Sequence, residues 1–233
     1  MVKIIPAIIA ENFEDLKNKV KLIESSASLD PNRDNPAVQL DIMDGIFVPN
    51  ETWRIPEDLK RLETGISFEA HLMVEWSQEI YERWLISKVK RIIWHWEALE
   101  KIINSSDSPE GERISIFDLA GKTHMMKKEF GIALNPDTLI EQISNYVQVL
   151  DLVLVMSVDP GFAGQKFQDK VIPKITALRR KYPDVKIEVD GGINIGNAKT
   201  VVQAGADILV AGSAIFGSDD IGGAINNLKE SLI

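Results

Sequence analysis

Residues 38–50, VQLDIMDGIFVPN, combine an apolar strand pattern with polar side chains at alternate positions. Successive side chains of a β-strand point to opposite faces of the sheet. The apolar side chains share one face: Val38, Leu40 and Ile42. The other face carries Gln39, Asp41 and Met43. This pattern predicts a strand that packs against helices on one side and presents polar groups to the interior of a barrel on the other.

Similar apolar, β-branched runs recur along the chain, with amphipathic helical stretches following most of them. Eight candidate strands can be read: KIIPAII (3–9), AVQLDIM (37–43), ISFEAHLM (66–73), VKRIIWHW (89–96), FGIALN (130–135), LDLVLVMSV (150–158), VKIEVDG (185–191) and ADILVAG (206–212). Alternation of strands and helices is typical of a parallel sheet. Eight such pairs predict an α/β fold, a (β/α)8 TIM barrel forming a single domain over residues 1–233.

An open doubly wound sheet is the alternative architecture. No candidate strand is followed by a G-x-G-x-x-G turn, so a dinucleotide-binding version of that sheet has no support. Two polar stretches interrupt the pattern, SSASLDPNRDNP (25–36) and NSSDSPEGERIS (104–115). The second is typical of a surface insertion. Neither is long enough to separate two domains.

Composition limits the possible partners. The chain of 233 residues has a formal net charge of −9, which disfavours binding to nucleic acid or to an anionic membrane surface. It contains no cysteine, so disulfides and thiolate metal sites are excluded. The first apolar run, MVKIIPAIIA, is too short for a signal peptide or a membrane span. We therefore expect a cytoplasmic protein.

Further strands also carry polar side chains at alternate positions near their carboxyl ends. The third candidate strand places Glu69, His71 and Met73 on one face, and the seventh does the same with Glu188 and Asp190. In a barrel these groups would meet at one end, where carboxylates and an imidazole together favour binding of a divalent cation. The alternative is that they are interior polar residues that hydrogen-bond to one another. Burial of several ionisable groups without a compensating ion makes that alternative weaker.

Glycine-rich turns follow the last three candidate strands: SVDPGFAGQ (157–165), DGGIN (190–194) and AGSAIFG (211–217). Such turns expose backbone N–H groups, which bind anions. In TIM barrels a phosphate site is often found after strands seven and eight. The sequence therefore predicts a phosphate site in these turns, although tight turns alone would also explain any single one of them.

The chain resembles the ribulose-phosphate 3-epimerase family in motifs that run through nearly its whole length: IPAIIAENF, LDIMDGIFVPN, EAHLMV, WHWEA, GIALNPDT, VLVMSVDPGFAGQKF, VDGGIN and AGADILVAGSAIF. The resemblance implies a TIM barrel of the ribulose-phosphate-binding type and one divalent metal ion, Zn, Fe, Mn or Mg, with no organic cofactor. It also implies a homo-oligomer. The implied activity is an isomerase that epimerises carbon 3 of a ketose phosphate, D-ribulose 5-phosphate to D-xylulose 5-phosphate.

Roles carried over from the resemblance fall on specific residues. Asp41 and Asp190 match the two acid/base aspartates, and both also match metal ligands together with His71. Matches to residues that line the family's site are Met43, Met73 and Met156. Matches to the contacts with the sugar phosphate are Gly161, Phe162, Ala163, Gly164, Gly191, Gly192, Gly212 and Ser213. His95 matches a family histidine that is not a ligand, and we expect it to be packed and hydrogen-bonded.

The sequence departs from the family pattern at four positions. Gln39 stands where a histidine is the fourth metal ligand, and an amide oxygen is a harder ligand that favours magnesium or manganese over zinc. Ala7 replaces a serine that contacts substrate. Ala163 replaces a loop glycine, which is harmless where φ is negative. Glu69 replaces an aspartate, and we expect it to support His71.

Three other functions compete with this interpretation. An epimerase of a related hexulose phosphate would share the same motifs. A catalytically impaired sugar-phosphate-binding homologue would explain the changes at Gln39 and Ala7. A Schiff-base aldolase needs a lysine near the carboxyl end of a strand. The candidate lysines all lie at strand beginnings, so the aldolase is set aside: Lys3, Lys90 and Lys186.

Overall fold

Eight parallel strands close into a barrel in the computed structural model, which describes residues 2–26, 37–103 and 114–232. Strand order follows chain order, and the first strand pairs with the eighth. The strands are β1 (Lys3–Ile8), β2 (Ala37–Met43), β3 (Ser67–Met73), β4 (Arg91–His95), β5 (Glu129–Leu134), β6 (Leu152–Met156), β7 (Lys186–Asp190) and β8 (Ile208–Ala211). The predicted TIM barrel is confirmed, and the open sheet is wrong.

Helices surround the barrel. The α-helices are α1 (Phe13–Ser25), α2 (Gln78–Leu85), α3 (Trp96–Ile103), α4 (Ile116–Met125), α5 (Ile172–Lys181), α6 (Ala198–Ala204), α7 (Ser213–Phe216) and α8 (Ile221–Glu230). Short 3₁₀ turns at Pro56–Arg61, Ile140–Ile143 and Val147–Val149 stand in the crossovers from β2 to β3 and from β5 to β6. The polar stretches 25–36 and 104–115 lie largely outside the described residues, and so does the predicted surface insertion.

Local sequence signals explain where the helices begin. The side chains of Asn12 and Ser77 accept hydrogen bonds from the backbone N–H groups of Asp15 and Ile80, at 3.0 and 3.1 Å. Asp220 does the same for the N–H group three residues further on. A polar side chain at this position satisfies an N–H group that the first turn of a helix leaves without a partner. These caps start α1, α2 and α8.

The apolar core has an outer and an inner part. The outer part lies between strands and helices and contains the outward side chains of β2, such as Val38 and Leu40. The inner part fills the barrel with side chains such as Ile93, Leu152 and Leu154. The inner positions of β2, β3 and β7 carry polar groups among these apolar side chains. Those polar groups position the candidate site.

Across the described residues, no helix is both long enough and apolar enough to cross a membrane.

Candidate active site and metal centre

A cavity of about 330 Å³ opens at the carboxyl ends of the strands. That volume is within the usual range for small-ligand sites. The cavity is lined by all but two of the predicted site residues: Ala7, Asp41, Met43, Met73, Met156, Gly161, Phe162, Ala163, Gly164, Asp190, Gly191, Gly192, Gly212 and Ser213. The other two, Gln39 and His71, are fully buried beneath its floor. The residues predicted from six separate strand ends therefore meet at one place.

Asp41, His71 and Asp190 form a compact group at that floor. Asp41 and His71 are direct neighbours in the pairing of β2 with β3. His71 Nδ1 lies 3.1 Å from Asp41 Oδ1 and 3.4 Å from Asp190 Oδ2. One ligand atom from each of the three residues lies within 4.8 Å of the others. Two carboxylates and an imidazole at this spacing can hold a divalent cation.

Burial and mutual contacts shift the pKa values in this group. Burial raises the pKa of Asp41, and the charge of Asp190 raises it further, against hydrogen bonds from His71 and Gln39. Burial acts to lower the pKa of His71, but hydrogen bonds to Asp190 and Asp41 outweigh it and raise the pKa to about 10. Without a bound cation, His71 is therefore a charged imidazolium at neutral pH, and it balances one of the two carboxylates.

Gln39 lies between the members of this group. Its Nε2 donates to Asp41 Oδ1 and to Asp190 Oδ2, each at 2.7 Å, and lies 3.3 Å from His71 Nδ1. Its Oε1 is buried and has no hydrogen-bond partner. An amide can rotate by a half turn and exchange its oxygen and nitrogen, and only a local hydrogen-bond network decides between the two orientations.

The donor set therefore fits a divalent cation. Asp41, His71 and Asp190 supply two anionic oxygens and one nitrogen. The unpartnered Oε1 of Gln39 is an oxygen that a cation can satisfy, in the orientation opposite to the one that links the carboxylates. With three oxygens and one nitrogen, the set suits magnesium, manganese or iron as well as zinc.

Behind His71, a hydrogen-bonded line of side chains leads away from the cavity. His71 Nε2 lies 2.8 Å from His95 Nε2, and His95 Nδ1 lies 3.2 Å from Glu97 Oε2. Burial lowers the pKa of His95, so its imidazole is neutral. Burial acts to raise the pKa of Glu97, but hydrogen bonds, foremost from His95, lower it below its ordinary value. His95 is packed and hydrogen-bonded as predicted, whereas Glu97 was missed.

Backbone geometry explains the glycines after β7. Gly191 and Gly192 have φ values of +115° and +64°, which side-chain-bearing residues rarely adopt. A Cβ on Gly192 would also lie 2.5 Å from the backbone nitrogen of Phe167, and one on Gly191 would lie 2.5 Å from Val158 Cγ2. These two glycines let the chain pass close to the loop after β6. The turns after β6, β7 and β8 all line the cavity, as the phosphate-site prediction requires.

The cavity walls are mostly apolar on the side of β2 and β3. Met43 and Met73 are paired neighbours, and they pack with Val48. Lys19 is the only cationic side chain among the described residues that line the cavity. Its Nζ donates to the carbonyl oxygen of Ile9 at 2.7 Å and to Asp15 Oδ2 at 2.8 Å. The sequence analysis did not single out Lys19, because α1 gives no sign of which of its lysines faces the barrel mouth.

Two departures from the family pattern have simple structural outcomes. Ala7 lines the cavity next to Gly212, so it offers a methyl group where a hydroxyl was expected. Among the described residues, Lys127 is the only non-glycine with positive φ, so Ala163 has the negative φ that makes its Cβ harmless. The loop after β6 therefore accepts this alanine without backbone strain.

A second polar layer lies beneath the first, centred on Arg91. Arg91 Nη1 contacts Glu69 Oε2 at 2.5 Å and Glu188 Oε2 at 3.2 Å. Arg91 Nε donates to Glu129 Oε2 at 2.8 Å. The expectation that Glu69 supports His71 is therefore wrong, because its hydrogen bond goes to Arg91. Glu69 and Glu188 each stand two residues before a member of the metal group, and the barrel register places them one layer deeper.

The two buried carboxyl groups in this layer have raised pKa values. Burial raises the pKa of both Glu69 and Glu188, and the charge of Glu69 raises that of Glu188 further. The Oε1 atoms of both groups are buried without a separate donor. Raised pKa values favour the protonated form, and a single proton held by this pair would leave one negative charge opposite Arg91.

Comparison with known proteins gives consistent results. A family model described as "Ribulose-phosphate 3 epimerase family" matches residues 3–216. The ribulose-phosphate 3-epimerase of Bacillus subtilis (strain 168) is 32% identical over 237 residues, which cover 99% of this chain and 100% of that protein. The ribulose-phosphate 3-epimerase of Methanocaldococcus jannaschii is 36% identical over 242 residues, which cover 100% of this chain and 92% of that protein.

Solved structures at low sequence identity share the fold. A structure titled KGPDC from Streptococcus mutans has a TM-score of 0.65 at 12% identity and covers 100% of this chain and 98% of its own. The 3-hexulose-6-phosphate synthase from Salmonella typhimurium has a TM-score of 0.66 at 13% identity, with coverages of 99% and 98%. At these identities the likeness extends to the barrel alone.

Proposed function

Because the chain belongs to the ribulose-phosphate 3-epimerase family, we propose that it converts D-ribulose 5-phosphate to D-xylulose 5-phosphate by proton transfer at carbon 3 between Asp41 and Asp190. The activity is that of an isomerase acting on a carbohydrate, in the pentose phosphate pathway. One observation supports the mechanism above all others. Two carboxylates that come from β2 and β7 stand close together at the floor of the cavity.

In the proposed reaction, one carboxylate removes the proton from carbon 3. The electron pair of the broken C–H bond moves into the bond between carbons 2 and 3, and the carbonyl oxygen on carbon 2 takes up the negative charge. The other aspartic acid then delivers a proton to the opposite face of carbon 3.

The remaining cavity residues bind and shield the substrate. We propose that the phosphate group is held by the backbone N–H groups of Gly191, Gly192, Gly212 and Ser213. The apolar side chains of Met43, Met73 and Met156 exclude water from the reacting carbon. Asp41, His71 and Asp190, with Gln39 as a neutral fourth ligand, would hold a divalent ion. When bound, that ion supplies positive charge that stabilises the enediolate.

Solvent hydrogen exchange tests the proposal. We would incubate D-ribulose 5-phosphate with the protein in D₂O and follow carbon 3 by proton NMR, with magnesium, manganese, zinc or iron(II) supplied in turn. Deuterium at carbon 3, together with the appearance of D-xylulose 5-phosphate, is the expected result. No incorporation with any of the four ions would reject the proposed reaction and favour the impaired sugar-phosphate-binding homologue; incorporation only with a hexulose phosphate would change the substrate.

Replacement of Gln39 by histidine is expected to tighten zinc binding on the order of tenfold relative to magnesium, because imidazole is a softer ligand than an amide oxygen. Competition against a chromophoric chelator measures both dissociation constants. Gln39→Glu is the matched control, since an added carboxylate should tighten binding of both ions. Unchanged zinc affinity in Gln39→His would mean that residue 39 does not face the ion.

Metal binding is also expected to depend on pH. In the absence of an ion the pKa of His71 is raised to about 10. The ion must displace that proton, so the apparent dissociation constant should fall about tenfold per pH unit between about pH 6 and 8. Chelator competition across that range measures the slope. His124→Asn, a change at an exposed histidine bonded to Asp151, should keep the same slope. A flat profile would contradict the assignment of His71 as a ligand.

We further propose that the chain acts as a single domain in the cytoplasm, as a homo-oligomer, with a small-molecule sugar phosphate as its substrate. The net charge of −9 supports the absence of nucleic-acid and membrane partners. Analytical ultracentrifugation would measure the oligomeric state, and a monomer at micromolar concentration would contradict the homo-oligomer.

A further inference from the structure

Hydrogen bonds connect His71 to His95 and His95 to Glu97. Which atom donates in each of these bonds is determined by the contacts of Glu97. Glu97 Oε1 accepts the backbone N–H of Asn135 at 2.9 Å and the hydroxyl of Thr138. Glu97 Oε2 lies 3.2 Å from His95 Nδ1. A carboxylate only accepts hydrogen bonds, so the proton in the contact between Glu97 and His95 belongs to the imidazole.

That proton fixes the roles of the other ring nitrogens. A neutral His95 with its proton on Nδ1 can only accept at Nε2. His71 Nε2, at 2.8 Å, must then be the donor in the contact between the two histidines. A neutral His71 that keeps its proton on Nε2 has its lone pair on Nδ1, the nitrogen that lies 3.1 Å from Asp41 Oδ1.

We propose that Glu97 and His95 are positioning residues that fix the tautomer of His71, so that its Nδ1 is the nitrogen offered to a divalent cation. The inference rests on the metal site of the proposed function. Neither Glu97 nor His95 lines the cavity, so both act through His71 and not on the substrate. His71 and His95 are fully buried, with nearly parallel ring planes and centroids 5.0 Å apart, so the rings meet edge to edge through their Nε2 atoms, away from solvent.

The substitution Glu97→Gln exchanges donor and acceptor in each hydrogen bond between Glu97, His95 and His71, with almost no change in side-chain size. The backbone N–H of Asn135 cannot become an acceptor, so the amide oxygen of Gln must face Asn135 and Thr138. Its NH₂ group then donates to His95 Nδ1, and His95 carries its proton on Nε2. His71 Nε2 must accept that proton's hydrogen bond, so His71 gives up its own Nε2 proton and keeps the one on Nδ1, where it blocks the cation.

Two measurements that do not depend on turnover test the proposal. The chain has three histidines, so nitrogen-15 NMR of histidine-labelled, metal-free protein can assign each ring, with His95→Phe identifying the signals of His95. The parent protein should show His95 protonated at Nδ1, and Glu97→Gln should show it protonated at Nε2. Chelator competition should show zinc binding weakened by about ten- to a hundredfold in Glu97→Gln and in His95→Phe.

Thr138→Val is the matched control. It removes one hydrogen bond to the same carboxylate but leaves the direction of the line intact, so both the His95 tautomer and the zinc dissociation constant should stay within about twofold of the parent. If Glu97→Gln does not fold, His95→Phe keeps an aromatic ring at the same buried position and tests the zinc effect by itself.

A parent protein with His95 protonated at Nε2 would overturn the proposal, as would parent-like zinc binding in both Glu97→Gln and His95→Phe. Failure of the proposed function is distinguishable from these outcomes. Weakened zinc binding and a reversed tautomer, with no deuterium incorporation in the parent protein, would reject the epimerase reaction and keep the positioning role. Epimerisation by the parent protein, with unchanged zinc binding in the variants, would keep the epimerase reaction and reject the positioning role.

Discussion

We expect Asp190→Asn to lower kcat for epimerisation by about 10²- to 10⁴-fold while the protein keeps its fold, because general acid–base catalysis contributes rate factors of this size. Asparagine has nearly the size of aspartate, and its amide oxygen can still accept the hydrogen bond that Gln39 Nε2 gives to Asp190 at 2.7 Å. What the variant loses is the ability to take up and return a proton, together with one anionic ligand of the proposed metal ion, so the kinetics are measured at saturating metal. Steady-state kinetics and a thermal unfolding curve of the same preparation separate the two effects.

Hydrogen exchange makes this prediction sharper. In a two-carboxylate mechanism each aspartate serves one epimer, so Asp190→Asn and Asp41→Asn should both lose inversion, and each should retain solvent exchange in only one of the two sugar phosphates. Asp184→Asn, an exposed change in the segment before β7, is the matched control and should leave turnover unchanged. Near-normal turnover in Asp190→Asn would reject the mechanism.

The largest expected effect on stability comes from Arg91→Met. Arg91 is the cation that faces the buried carboxyl groups of Glu69 and Glu188. Removal of one partner of a buried ionic cluster leaves charge uncompensated and costs about 3–5 kcal/mol of unfolding free energy. Methionine fills much of the same space, so a cavity contributes little to the change. Chemical denaturation at neutral pH measures the loss.

Two controls isolate the effect of burial. Arg83 pairs with Glu57 through two hydrogen bonds, at 2.9 and 2.8 Å, on the protein surface. Arg83→Met should cost no more than about 1 kcal/mol, because solvent screens exposed pairs. Adding Glu69→Gln to Arg91→Met should recover part of the loss, since the uncompensated charge is removed. Equal losses for Arg91→Met and Arg83→Met would show that the buried layer is not an ionic cluster.

The Arg91→Met defect should also grow with pH. Without Arg91, the pKa values of Glu69 and Glu188 in the folded state rise further above the ordinary value of 4.5. The folded state then binds more protons than the unfolded state, so stability decreases as pH rises above about 4.5. The difference in unfolding free energy between the parent and Arg91→Met should therefore be smallest in mild acid and larger at neutral pH. A difference that does not change with pH would contradict this account.

Much of the fold was predictable because strand and helix patterns differ in period. All eight predicted strands are present, with bounds that differ by about one to two residues at most ends. The predicted fourth strand ran through residue 96, whereas β4 ends at His95, because Trp96 already begins α3. Such an end depends on packing, which a local pattern does not contain.

The site was predictable to the extent that each contribution lies within one strand. Alternation placed Asp41, His71 and Asp190 on the inner faces of three strands, and the family motifs implied their roles. The role of Arg91 was not predictable in this way. Its contacts with two buried glutamates follow from the register between strands that are far apart in sequence, and that register exists only once the barrel closes.

The loops after β6 and β7 are joined more closely than neighbouring loops of a barrel need to be. Ser157 donates its backbone N–H and its hydroxyl to the carbonyl of Asp190, at 2.7 and 2.8 Å. The chain at Gly192 passes so near Phe167 that a Cβ would lie 2.5 Å from its nitrogen. For protein engineering, this means that the two loops form one exchangeable unit. A graft that alters sugar specificity must transfer both loops together, because a new loop after β6 alone would shift the carbonyl group that fixes the backbone of Asp190.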